Sequence, residues 1–214
     1  MLSKKQALTE FHRGSILAAA ERLFAEKGTE KTTMDDIARE SEYSKATLYV
    51  YFQSKEEIVN AILLSSMVLL QKKLEEAIRS NPNWFQAYNG VCEAIIHFYG
   101  ENPAAYDTVA RQTVMEAEGG QADQSLKEIR QVGEATNDLL ADFLKRGAAE
   151  GAVRIELPPK ETVLLFWAGL FGMVKMAEGR EKYLQDTLNI EREEFLRHGV
   201  RMLLDSITKG RIIE

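Results

Sequence analysis

The stretch Thr32–Lys55, TTMDDIARESEYSKATLYVYFQSK, decides the fold. Thr33 followed three residues later by Asp36 is a capping-box pattern, and Asp35 and Asp36 stand where a helix N-terminus favours negative charge. Ile37 and Ala38 supply the inward face of that short helix. Ser44 offers a second cap, and Leu48 and Phe52, four apart, give the next helix one apolar side. Lys45, Thr47, Tyr49 and Tyr51 fall off that stripe, so its outer side is rich in hydrogen-bond donors. Ser54 then caps a third helix.

Two helices of about two turns joined by three or four residues bury too little alone and need a third to lean on. In a helix-turn-helix the second helix enters the major groove, its first residues touching base edges while flanking hydroxyls and amines grip phosphate. On that reading Lys45 and Thr47 face bases, and Tyr49, Tyr51 and Lys55 hold phosphates. The supporting helix lies upstream. From Phe11 to Lys27 the set Ile16, Ala20, Leu23 and Phe24 follows helical spacing, Gly28 ends it, and its apolar face packs under Ile37 and Leu48. Residues 1–10, polar and carrying Lys4 and Lys5, read as a mobile chain end, with an arm against the DNA backbone or minor groove as the alternative.

Residues 16–64 resemble the DNA-binding domain of the TetR family of bacterial transcriptional regulators, most specifically in SKATLYVYFQSKEEI, with LFAEKG and TTMDDIA in the expected order and spacing. The resemblance implies phosphate contacts by Thr33, Tyr49, Tyr51 and Lys55, and base readout from Ser44, Lys45, Ala46 and Thr47. One departure stands in the turn. Glu42 and Tyr43 occupy the place of a Gly and an aliphatic residue, so a displaced joint is expected, with Glu42 repelled by phosphate.

Downstream of Ser54, Ile58, Ile62, Leu63, Leu70, Leu74 and Ile78 mark one long amphipathic helix ending near Asn81-Pro82. Asn81-Pro82 and Asn102-Pro103 predict helix starts at about 82 and 103, Gly119-Gly120 breaks the second of these, and another helix runs from about Gln121 to Glu150 with Gly151 as its stop. Arg154–Pro159 is a loop before a helix containing the apolar run 162–174, and a last helix spans about Glu191–Thr208. The chain reads as all-α with about nine helices: residues 1–55 a three-helix DNA-binding domain, residues 56–214 an effector-binding and dimerisation domain.

Residues 80–180 are rich in aromatic side chains and Met, and a pocket lined by Phe85, Tyr88, Cys92, Tyr106, Arg111, Met115, Phe166 and Trp167 is the candidate effector site. Helical spacing alone also puts most of them in a core. The resemblance implies that the body binds an inducer and changes the separation of two reader domains. Gly169 and Gly172 are costly inside a helix unless another helix approaches closely. The last two long helices are therefore expected to pair with their copies in a homodimer through Phe166, Gly169, Gly172, Met173, Leu196, Val200 and Leu203, the alternative being that they complete the monomer core.

Net charge over the 214 residues is −6, yet the first 60 residues hold nine Lys and Arg against ten Asp and Glu, so the reader is near neutral. Phosphate neutralisation then rests on local placement of Lys4, Lys5, Arg13, Lys45 and Lys55. Cys92 is the single cysteine, which precludes an intrachain disulfide. No charged-then-apolar leader opens the chain, and runs such as Thr162–Val174 fall short of the roughly 20 apolar residues of a spanning helix, so a cytoplasmic protein with no membrane partner is expected. Cys92 and His97 lie off a common helix face, and His12 and His198 read as surface residues, so no metal is expected. With no phosphate loop, nucleophile elbow or zinc-protease motif, neither cofactor nor enzyme activity is expected. The function expected is a dimeric repressor released from a palindromic operator by a small, largely apolar effector. The alternative is a helical ligand-binding or scaffold protein of the same fold without specific DNA binding.

Overall fold

The computed structural model describes residues 3–101 and 124–208, and every regular element among them is a helix. The chain divides into two units, residues 1–69 with 101–132, and residues 70–100 with 133–214.

In the first unit α1 (Lys4–Lys27), α2 (Met34–Glu40) and α3 (Lys45–Tyr51) precede the opening turns of α4 (Lys55–Ser80). Residues 1–10 were expected to be mobile, but α1 begins at Lys4 because Ser3 and Gln6 cap each other reciprocally. Thr33 and Asp36 make the same exchange on α2, and Ser44 Oγ accepts from Thr47 N at 3.0 Å on α3. Ser54 Oγ caps α4 through Glu57 N at 3.1 Å. Ile16, Ala20 and Phe24 of α1 meet Ile37, Leu48, Phe52 and Ile58 in one cluster. Complete burial of such side chains is worth about 1.5–3 kcal/mol each. The joint between α2 and α3 is not displaced. Glu42 takes the left-handed conformation at φ 59°, and Tyr43 N donates to Ala38 O at 3.0 Å, so a glutamate bears the geometry that glycine adopts without strain.

The second unit contains α5 (Trp84–Glu101), most of α6 (Gln124–Ala149), α7 (Pro159–Gly179), α8 (Glu181–Leu188) and α9 (Arg192–Thr208). The cap of α5 is Asn83, whose Oδ1 accepts from Phe85 N and Gln86 N, whereas Asn81 reaches back to Ala77 O and closes α4. The start at Trp84 therefore replaces the one expected at 82. Trp84 lies flat on Phe143, centroids 4.8 Å apart, and donates Nε1–H to Phe143 O at 2.9 Å. A Cβ on Gly147 would overlap that indole, so only glycine fits there. Gly151, at φ 71°, ends the segment after α6 as expected, and Pro158 and Pro159 open α7.

The short helix α8 was not foreseen; it lies between Arg180 and Asn189, the latter at φ 53°. The helix start near 103, the Gly119-Gly120 break and Gln121 lie outside the described residues. Among the described residues, α7 has the length and composition of a membrane-crossing helix. Its uncharged run is still 162–174, bounded by Lys160 and Glu161 on one side and Lys175 on the other, as read from the sequence. Its Val163, Trp167, Leu170 and Val174 are buried within the protein.

Candidate nucleic-acid interface and apolar cavity

Leu48 is fully buried, which turns the opposite side of α3 outward. Ser44, Lys45, Ala46 and Tyr49 are exposed there and Thr47 is half-buried, its Oγ1 2.8 Å from Ser44 Oγ. Val50, which the sequence reading passed over, is 75% exposed on the same helix. An apolar side chain left so open on a short polar face suits contact with a thymine methyl, and its β-branched position two residues after the buried Leu48 was the available signal. Tyr51 was expected among the phosphate contacts, but its ring packs against the core, 5.5 Å from the His12 ring. His12 is correspondingly not a simple surface residue: its Nδ1 lies 2.6 Å from the Tyr43 hydroxyl. His198, by contrast, is exposed near Glu194.

Most cations of this unit are already engaged. Arg13 donates to Tyr51 O at 2.6 Å and sits 4.1 Å over the Phe52 ring, fastening α1 to the end of α3. Lys55 donates to Thr29 O and Thr32 O at 2.9 and 3.1 Å, clasping the loop before α2. These two bonds leave one N–H of the ammonium for the phosphate expected from the sequence. Lys27 and Arg39 both bind Asp36 at 2.7 Å, and Lys45 binds Asp35 at 2.7 Å. The Lys27 hydrogen bond, then those from Thr33, hold the Asp36 carboxyl well below the usual carboxylate range. The Asp35 hydrogen bond raises the Lys45 ammonium in the same way. Of the five cations assigned to phosphate, Lys4 and Lys5 make no ion pair among the described residues. Thr33, also assigned to phosphate, spends its hydroxyl and amide on the α2 cap.

In the second unit α5, α6 and α7 enclose an apolar cavity of about 40 Å³. Tyr88, Cys92, Phe166 and Trp167 line it as expected from sequence, whereas Phe85 is 41% exposed and lies outside it. Tyr106, Arg111 and Met115 lie outside the described residues. Leu140, Phe143 and Leu144 of α6 form the wall that sequence reasoning missed, although their three- and four-residue spacing marked an inward face. Tyr88 donates its hydroxyl to Val200 O at 3.0 Å, and burial raises its phenol. Burial also pushes the Cys92 thiol up to about 12, so it stays neutral at physiological pH. Trp167 Nε1 donates to Asn137 Oδ1 at 3.2 Å. The space holds a water molecule or two, far below the roughly 300–1,000 Å³ of a ligand pocket. An occupant the size of a metabolite requires these side chains to move apart.

The candidate dimer residues separate on inspection. Leu196 and Val200, 2% and 8% exposed, belong to the protomer's own interior, and Phe166 faces the cavity. Leu203 lies against Gly169, where a Cβ would come within 3.2 Å of it, and Met173 fills the place of a side chain at Gly199. These glycines therefore serve α7–α9 packing within the chain. Gly172 alone of the candidates opens onto free space among the described residues, beside exposed Leu164, Leu165, Ala168 and Met176 on α7.

The family described as bacterial regulatory proteins, tetR family, matches residues 16–62, and the tetracyclin repressor-like C-terminal domain matches residues 89–203. The HTH-type transcriptional activator FasR of Mycolicibacterium smegmatis is 26% identical over 68% of this chain and 64% of its own length. The HTH-type transcriptional repressor KstR2 of Mycobacterium tuberculosis is 28% identical over 68% of this chain and 70% of its own. The match thus spans somewhat less than two thirds of the first relative and somewhat more of the second. A solved structure of a Rhodococcus sp. RHA1 protein of unknown function superposes with a TM-score of 0.74 at 17% identity, covering 92% of this chain and 95% of that one. The structure of KstR2, described as a ketosteroid transcriptional regulator, gives 0.62 at 21% identity with the same coverage. With the C-terminal match covering more than half of the sequence and the N-terminal match lying on α1 to α4, this chain belongs to the TetR family of bacterial regulatory proteins.

Proposed function

We propose that this chain is a homodimeric, DNA-binding transcriptional repressor that acts in the cytoplasm and leaves a palindromic operator when a small apolar effector enters the body. The observation that carries the reading is the outer face of α3: a capped, fully assembled helix-turn-helix leaves Lys45, Ala46, Tyr49 and Val50 open while Leu48 holds the helix down. One such helix reaches three or four base pairs, each good contact discriminating by about 1–3 kcal/mol, so two copies are needed for a useful site. Half-sites are then expected about 34–36 Å apart. The exposed α7 face around Gly172 is the surface proposed to meet the partner copy. The cavity around Tyr88, Phe166 and Trp167 is proposed to open for an apolar effector, a chemistry its walls suit. The name of the related ketosteroid regulator supports that class of occupant. An effector displaces the equilibrium between DNA-bound and free arrangements only through a difference in its affinity for the two.

The test is a mobility shift at fixed salt on duplexes covering the DNA flanking the chain's own coding region. A retarded duplex that is footprinted over a palindrome supports the reading. A preference altered by Thr47→Ala or Val50→Ala assigns α3 as the reader, whereas equal losses on specific and random duplex reject that assignment. Activation in a reporter carrying that site would reverse the sign of regulation and leave the DNA reading standing.

A second reading, a ligand-binding or scaffold protein without specific DNA binding, is favoured by one group of observations. Exposed Glu42 stands at the α2–α3 joint, and Arg13, Lys45 and Lys55 are all held by other groups. Binding to no duplex in a random pool would select it.

A further inference from the structure

Asp35 and Asp36 are adjacent acids in the first turn of α2 with different employment. Asp36 closes the capping box and gathers Lys27 and Arg39, so the fold uses it fully. Asp35 takes no part in the capping box; its carboxylate is exposed and binds the exposed Nζ of Lys45 at 2.7 Å. Helix α2 keeps an acid at its N-terminus without it. The remaining group that faces this ammonium is Tyr49, one turn further along α3. The pair therefore sits on the face proposed to meet DNA, and it neutralises the one cation that α3 carries.

An exposed ion pair is worth at most about 1 kcal/mol, so another anion can replace the carboxylate, but only by overcoming that amount for each pair. Phosphate is such an anion. Binding to arbitrary duplex is driven by cations that displace counterions, whereas base contacts separate one sequence from another. An ammonium already neutralised by its own protein gives no counterion release until the internal pair breaks.

We propose that Asp35 is a specificity-determining residue that withholds Lys45 from phosphate, so that α3 engages duplex tightly only where base contacts compensate for parting the pair. The inference rests on the DNA-reader proposal above. Asp35 acts through Lys45 and is a positioning residue.

The experiment uses the full chain. A duplex is first selected from a random pool by the unaltered protein, and anisotropy titrations over a salt series then compare it with a scrambled duplex for Asp35→Asn, Asp35→Glu, Lys45→Gln and the Asp35→Asn/Lys45→Gln pair. Asp35→Asn is expected to bind scrambled duplex roughly three- to thirtyfold more tightly, with the salt slope steeper by about 0.9 per protomer. The preference for the selected duplex falls correspondingly, and Asp35→Glu restores it. On the Lys45→Gln background Asp35→Asn leaves the slope unchanged. An equal gain on both backgrounds overturns the proposal, since Asp35 would then only repel the duplex; no gain on scrambled duplex overturns it too. Failure of the unaltered protein to enrich any sequence sinks the reader proposal itself, a different result from enrichment without an Asp35 effect. Thermal unfolding midpoints that coincide across the set show that these exposed substitutions leave the fold intact.

Discussion

The two units solve the burial of polar and apolar groups in opposite ways. In the reader, helices are held by reciprocal caps at Ser3 and Thr33, by a one-way cap at Ser54, and by side chains that seek out backbone carbonyls, as Arg13 does at Tyr51 and Lys55 at Thr29 and Thr32. In the body, long helices approach through missing side chains at Gly147, Gly169 and Gly199, around a cavity with almost no polar lining. A unit held by many local bonds presents a surface of fixed shape, which suits a rigid probe. A unit held by close apolar contact has a void that sliding helices can enlarge, which suits a site that opens. The contrast predicts that single changes hurt the reader by emptying its small core and hurt the body by overfilling it.

The largest effect is expected from Leu48→Ala. Leu48 is fully buried beneath α3, and removing it costs about 2–5 kcal/mol in transfer and cavity terms. Amide exchange in α2 and α3 should accelerate while α7 and α9 keep their protection. Uniform loss of protection across both units would break the distinction between them.

Next comes overpacking in the body. Gly147→Leu forces a side chain into the Trp84 indole and is expected to cost about 1–3 kcal/mol, with the Trp84 bond to Phe143 O lost and its fluorescence shifted. Gly172→Ala is the control. It enters open space, so the protomer should gain up to about 1 kcal/mol of helix stability. Light scattering across a dilution series then reports whether the same change weakens self-association, as it must if that face meets a partner copy.

What the sequence disclosed follows the same division. The caps at Thr33, Ser44 and Ser54 were legible because donor and acceptor lie within three residues of each other. Gly28 and Gly151 were legible as stops because each needs only its own φ. The groups that decide which cations are free were not, since Arg13 and Tyr51 are 38 positions apart and Lys55 and Thr29 are 26 apart. No periodicity encodes such distances. The cavity was half legible: Tyr88, Cys92, Phe166 and Trp167 announced themselves by type, while the α6 wall is made of ordinary leucines and one Phe whose spacing marks any buried face. For the dimer candidates the sequence signal was incomplete, because glycine marks close approach without naming the neighbour, and at Gly169 one such neighbour, Leu203, is in the same chain. Helix α8 was missed because its eight residues carry a single buried side chain, Leu184.

A smaller effect tests the joint of the reader. Glu42 holds φ 59°, a conformation that disfavours a side chain by about 1 kcal/mol or somewhat more. Glu42→Gly removes that strain, and chemical denaturation should show a gain of about 1 kcal/mol, offset in part by the greater freedom of glycine in the unfolded chain. Removing an exposed acid beside α3 should also tighten binding to any duplex. A loss of stability would mean that the left-handed turn is supported by contacts of the glutamate itself, and the joint would then resemble the body, where the occupant of each tight place matters.

The smallest effect separates the units by pH. The Asp36 carboxyl is held well below its ordinary 3.8 by Lys27 and Thr33, so its contribution is fully present above that value and disappears as pH falls through the folded-state value. Acidification from about pH 5 should therefore loosen α2 before it loosens the body, where a carboxylate such as Asp142 pairs with a lysine in an exposed position. Asp36→Asn should lower the stability of the reader at neutral pH and flatten its decline in acid, so that the gap between the two proteins narrows toward the acid end. Because Asp36 is also the N-cap partner of Thr33, part of the loss persists at every pH, and only the pH-dependent part reports the negative charge that Lys27 and Thr33 stabilise. Parallel curves for the two proteins would show that the charge on Asp36 adds nothing to the fold, leaving the reader held by neutral caps and its apolar core alone.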